Sequence, residues 1–139
     1  MKFNLETYLK RMVINMKPPC EIVVWYVIPA IRSELAKELL NLGMKQKDVS
    51  ELMDITQPAV SQYITDKRGS GIKLNEDVRG MIHEFASELS EGKATKAELI
   101  PRTCKICHNV EIGDVLEQLN IDKSDLGEDC QSCLGSEVN

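Results

Sequence analysis

The stretch KQKDVSELMDITQPAVSQYITDKRG, residues 45–69, constrains this chain more than any other. Its apolar side chains Val49, Met53, Ile55, Val60 and Tyr63 follow one another at spacings of four, two, five and three. Residues 49 and 53 form one helical stripe and 60 and 63 a second, with Ile55 between them to fill the angle. Asp54 falls in the turn, and Asp is among the few residues besides Gly that tolerate a left-handed backbone. Thr56 is placed to cap the second helix with its hydroxyl. Pro58 lies in that helix's first turn, where no backbone donor is lost.

What stays outward is polar. Thr56, Gln57, Ser61, Gln62 and Thr65 line the second helix, and Lys67 and Arg68 follow at its end. Short side chains that reach base edges, followed by cations for phosphates, suit a helix lying in the DNA major groove. A bent helix pair with a solvated face would use the same residue types. The joint match of five apolar positions with the Lys67-Arg68-Gly69 ending favours a DNA-binding helix-turn-helix.

Upstream, residues 1–15 interleave charges with apolar side chains and do not read as a secretory signal. Leu5, Leu9 and Met12 sit at helical spacing and predict a short amphipathic helix. The run IVVWYVI, residues 22–28, is too short to span a bilayer and is closed by Pro29. Ile31, Leu35, Leu39 and Leu42 then mark one helical face, with Gly43 as the stop. Residues 20–42 therefore read as a helix kinked near Pro29. Trp25 and Tyr26 read as core or dimer contacts, and Cys20 as a small buried hydrophobe.

Downstream, Gly69-Ser70-Gly71 reads as a flexible turn. Asn75 caps a helix whose face is Val78, Ile82, Phe85 and Leu89, ended by Gly92, with His83 on its surface. Thr95 and Glu98 have capping-box spacing, and Pro101 is expected to stop the short helix that they begin. With six aromatic residues in 139, the core must be aliphatic, and every element found is helical. The fold class is all-α. Charge divides the chain: residues 1–71 carry ten Lys and Arg against eight Asp and Glu, residues 72–139 seven against fourteen. An acidic C-terminal half should project away from phosphates.

That half contains Cys104-x-x-Cys107 and Cys130-x-x-Cys133, separated by 22 residues. Two such pairs, each on a tight turn, can bring four thiolates together around Zn²⁺ or an iron–sulfur cluster. Val115, Leu116 and Leu119 between them predict one short helix over 113–120. A metal would supply the cross-link that such a tail lacks. Without a secretory signal the expected compartment is reducing, where disulfides seldom persist.

The runs PPCEIVVWYVIPAIRSELAKEL and GMKQKDVSELMDITQPAVSQYITDKRG resemble the N-terminal domain of archaeal Xre-type helix-turn-helix transcriptional regulators, over roughly residues 17–90. Some such relatives carry Cys-x-x-Cys pairs in small C-terminal regions. The resemblance implies an N-terminal extension over 1–16, a helix-turn-helix domain over 17–92 and an acidic four-cysteine subdomain over 93–139. It further implies a cytoplasmic homodimer that regulates transcription from a near-palindromic operator on double-stranded DNA, with no membrane partner and no enzyme activity. Iron–sulfur and Zn²⁺ both suit Cys104, Cys107, Cys130 and Cys133; the resemblance favours the cluster, as a sensor of redox state or iron. Two alternatives stay open, a DNA-binding protein with a purely structural zinc ribbon and a Cys-x-x-Cys thiol–disulfide oxidoreductase.

Overall fold

The computed structural model describes residues 19–121, and all regular structure among them is helical. The expected helix within 1–16, the burial of Cys20, and Cys130 and Cys133 lie outside what is described. Helix α1 (Pro19–Ile22) is followed by a π-helical turn (Val23–Val27) and then by α2 (Ile28–Asn41). The irregularity expected near Pro29 is this widened turn. Pro29 has no N–H to give the carbonyl of Trp25, and its ring crowds that oxygen, so the preceding turn opens to longer-range bonding.

Residues 26–110 form one compact unit. Within it α2 packs against α3 (Gln46–Met53), α4 (Gln57–Ile64), α5 (Glu76–Ser90) and α6 (Leu99–His108). Ala30, Ile31, Leu35, Ala36 and Leu39 bury the inner face of α2. Val49, Val60, Val78, Ile82 and Phe85 meet them with almost no exposure. Leu42, expected on that stripe, is 40% exposed. It lies beyond the last helical residue, where Gly43 at φ 98° turns the chain away. At the rim α2 is joined to α5 by the ion pair of Arg79 Nε with Glu34 Oε2 at 3.7 Å and by a hydrogen bond between His83 Nδ1 and Glu38 Oε2 at 2.8 Å. His83 is thus a surface residue, as expected. Trp25, expected in a core or dimer contact, is half exposed.

Asn75 caps α5, its Oδ1 accepting from Val78 N at 2.9 Å. The turn after α5 departs from expectation. Thr95 precedes a 3₁₀ turn (Lys96–Glu98) but makes no side-chain cap, because Glu98 N donates to the Thr95 carbonyl at 3.0 Å instead. Pro101 does not stop the helix. It occupies the first turn of α6, where its missing N–H costs nothing, and the helix continues through both cysteines to His108.

The boundary that the resemblance implies at residue 92 falls inside the compact unit. Arg102 explains why: its guanidinium lies 4.6 Å above the Phe85 ring and pairs with Glu88, while Ile106 is buried. Of the described residues outside this unit, 19–25 and 111–121 cluster separately. They include α7 (Ile112–Gln118), close to the expected span, with Val115 and Leu116 buried.

Phe85 has the largest side chain among the fully buried residues. Phe85→Ala is expected to cost about 3–5 kcal/mol of unfolding free energy in urea titration, and a loss under about 1 kcal/mol would mean the ring is not in the core.

Candidate functional site

Helices α3 and α4, eight residues each, are joined by Asp54, Ile55 and Thr56. Asp54 takes the left-handed conformation expected of it, at φ 57° and ψ 44°. It ends α3, and Ile55 N reaches back to the Ser50 carbonyl at 3.0 Å. Thr56 is extended, and its Oγ1 accepts from Ala59 N at 3.2 Å. Pro58 lies at the helix start. Ala59, Val60 and Tyr63 are buried, Ile55 and Ile64 half-buried.

The opposite side of α4 carries the residues singled out in the sequence. Thr56, Gln57, Ser61 and Thr65 are exposed and Gln62 is half-buried. Thr65 bends its hydroxyl back to the Ser61 carbonyl at 2.9 Å, so that hydroxyl keeps acceptor capacity outward. Lys67 and Arg68 stand exposed just past the helix. The Arg68 guanidinium lies 5.8 Å from the centre of the Tyr63 ring, which holds its stem against the helix end.

Charge near this face is arranged rather than merely summed. Residues 45–69 contain four Lys and Arg and four Asp and Glu. Two of the acids have cationic partners from elsewhere in the unit. Lys37 Nζ lies 2.6 Å from Asp66 Oδ1, and Lys96 Nζ lies 3.4 Å from Asp54 Oδ1. Each exposed pair adds little stability, but the first cancels a negative charge next to Lys67 and the second one at the turn before α4.

The segment after α4 was read as flexible from Gly69-Ser70-Gly71; it is closely packed. Gly69 has φ 78°, and a Cβ there would stand 2.5 Å from the Pro29 carbonyl oxygen and 2.8 Å from Ser33 Cβ. Only Gly permits both the backbone angle and the approach. Gly71 faces the Tyr26 ring, where a Cβ would lie 3.0 Å from Cδ1. Sequence alone offers no sign of this, since Tyr26, Pro29 and Ser33 all lie far earlier in the chain.

Cys104 and Cys107 are one helical turn apart on α6 rather than on a tight turn. Cys104 is exposed and Cys107 half-buried, and neither is in a disulfide. Burial, and then the charge of Cys104, push the Cys107 thiol above its ordinary value of 9.0. Cys107 also sits in the last turn of α6, whose negative dipole end disfavours a thiolate. Such a thiol keeps its proton at neutral pH and is a poor nucleophile. The folded chain holds the Cys107 proton more tightly than the unfolded one. That contribution is complete below the unfolded thiol value and is lost as pH rises through the raised folded value, a window above pH 9. As metal donors the two thiols fit one side of a tetrahedral site, and no group of three donors forms among the described residues.

No family model, curated protein or solved structure matches the chain at a significant level. Among the described residues no helix is long and apolar enough to cross a membrane.

At pH 7 in the metal-free chain, iodoacetamide is expected to modify Cys104 well before Cys107, as read by peptide mass mapping. Faster labelling of Cys107 would indicate an activated thiol and favour oxidoreductase chemistry.

Proposed function

We propose that the chain is a sequence-specific DNA-binding transcriptional regulator. In this reading α3, the turn and α4 form a helix-turn-helix, and α4 enters the major groove. One observation carries it: Ala59, Val60 and Tyr63 seat α4 in the core while Thr56, Gln57, Ser61 and Thr65 are left exposed, with Gln62 partly so. Gln57 and Gln62 carry amides suited to adenine, Ser61 and Thr65 hydroxyls suit either strand, and Lys67 and Arg68 follow at the position of flanking phosphates. The resemblance of residues 17–90 to Xre-type regulators supports the same assignment.

A single recognition helix reads only a few base pairs, so the expected assembly is a homodimer on a near-palindromic site. Cys104, Cys107, Cys130 and Cys133 are the proposed ligands of an iron–sulfur cluster or Zn²⁺. The first two contribute soft donors from α6, which packs on α2 and α5. When bound, the metal would cross-link α6 to the C-terminal segment and make operator binding responsive to redox state or iron. The raised Cys107 thiol and the C-terminal placement of the pair on α6 favour this role over a thiol–disulfide oxidoreductase.

Selection from a random duplex pool followed by binding titrations tests the assignment. Gln57→Ala or Gln62→Ala is expected to relax base preference, costing about 1–3 kcal/mol of discrimination for a bidentate contact. Lys67→Ala and Arg68→Ala are expected to weaken binding to every sequence and to lower the salt slope by about one each. Wild-type behaviour in all four would place the reading head elsewhere. For the cysteines, each of Cys104→Ser, Cys107→Ser, Cys130→Ser and Cys133→Ser is expected to lose most bound metal by elemental analysis. Equal operator affinity of reduced, oxidised and metal-stripped wild type would leave only an architectural zinc site.

A further inference from the structure

Lys67 and Arg68 lie on a segment that has left α4, and a segment of that kind would ordinarily be loose. Here it is fixed from behind. The α4 end is closed by Lys67 N and Arg68 N, which donate to the Gln62 carbonyl at 2.9 and 3.2 Å. Asp66 reverses the chain at φ 59° and pairs with Lys37 of α2. Ser70 Oγ donates to the Asp66 carbonyl at 2.7 Å. Buried Ser33 of α2 donates to the Tyr63 carbonyl at 3.3 Å. Gly69 lies so close to Pro29 and Ser33 that no side chain fits between them. Three of these restraints, at Asp66, Tyr63 and Gly69, run to one helix, α2.

We propose that residues 65–70 are a phosphate clamp whose position is set by α2, with Gly69 and Lys37 as positioning residues for Lys67 and Arg68. The inference rests on the DNA-binding reading and adds to it a division of labour. Base edges are read by the exposed face of α4, whereas the cations are aimed by backbone contact with α2. Holding two cations in place beforehand removes the ordering cost that flexible lysines and arginines otherwise incur on binding.

A double-mutant cycle tests this on the full chain, with fluorescence anisotropy against a mixed-sequence duplex at several salt concentrations. Gly69→Ala is expected to lower affinity for all duplexes by about tenfold and to reduce the salt slope by about one to two, with base preference unchanged. In the Lys67→Ala, Arg68→Ala background the same substitution is expected to change affinity hardly at all, because the cations that it misplaces are gone. General loosening of the fold would instead add its loss in both backgrounds. Should Gly69→Ala lose helicity by circular dichroism, Lys37→Met replaces it in the cycle. Lys37 acting as an independent phosphate contact would then give additive losses. Additive effects, or unchanged affinity of the single variant, overturn the clamp while leaving DNA binding standing. Absence of duplex binding by the wild type overturns both.

Discussion

The burial of α2 is the constraint on which the rest of this molecule depends. Its inner face contributes Ala30, Ile31, Leu35, Ala36 and Leu39, all nearly inaccessible, and the helix touches α3, α4, α5 and α6. Each large aliphatic side chain so buried is worth about 1.5–3 kcal/mol, which far exceeds any surface ion pair in the unit. Because α2 contacts α4 directly, the attitude of the polar face of α4 is fixed by the same packing that holds the fold together. The close approach of Gly69 to Pro29 extends that control past the end of α4.

The local elements were legible because their signals are short-range. Asp54, Thr56, Pro58, Asn75, Gly43 and Gly92 act on neighbours within a few residues, and the structure places each where its chemistry suits. The exposed set on α4 was legible for the same reason, since helical periodicity alone divides buried from outward positions. What could not be read came from long-range contacts. The packing of Gly69 and Gly71 depends on Pro29, Ser33 and Tyr26, and nothing in the local pattern distinguishes a packed glycine from a loose one. The resemblance implied a separate four-cysteine subdomain from residue 93. Arg102 overrides it by covering Phe85, so the first cysteine pair belongs to the compact unit. Pro101 was misread because a proline that ends one helix and a proline that opens the next look alike in sequence.

The placement of Cys104 and Cys107 has chemical consequences. A pair at a helix start would be activated by the positive dipole end; this pair sits near the opposite end, and Cys107 is half-buried. A metal that takes the Cys107 thiolate must displace its proton, so metal affinity should weaken as pH falls. Because α6 also contacts α2, the helix that would bear the metal and the helix that seats α4 share an interface.

On the proposed reading, the exposed face of α4 and the loop after it meet DNA. It is tested most directly by titrating isotope-labelled chain with duplex DNA at low salt and following backbone amide shifts. Gln57, Ser61, Gln62, Thr65, Lys67 and Arg68 are expected to move first and furthest, with α5 unmoved. Shifts centred on α5 or α6, or none at all with duplex in excess, would contradict it.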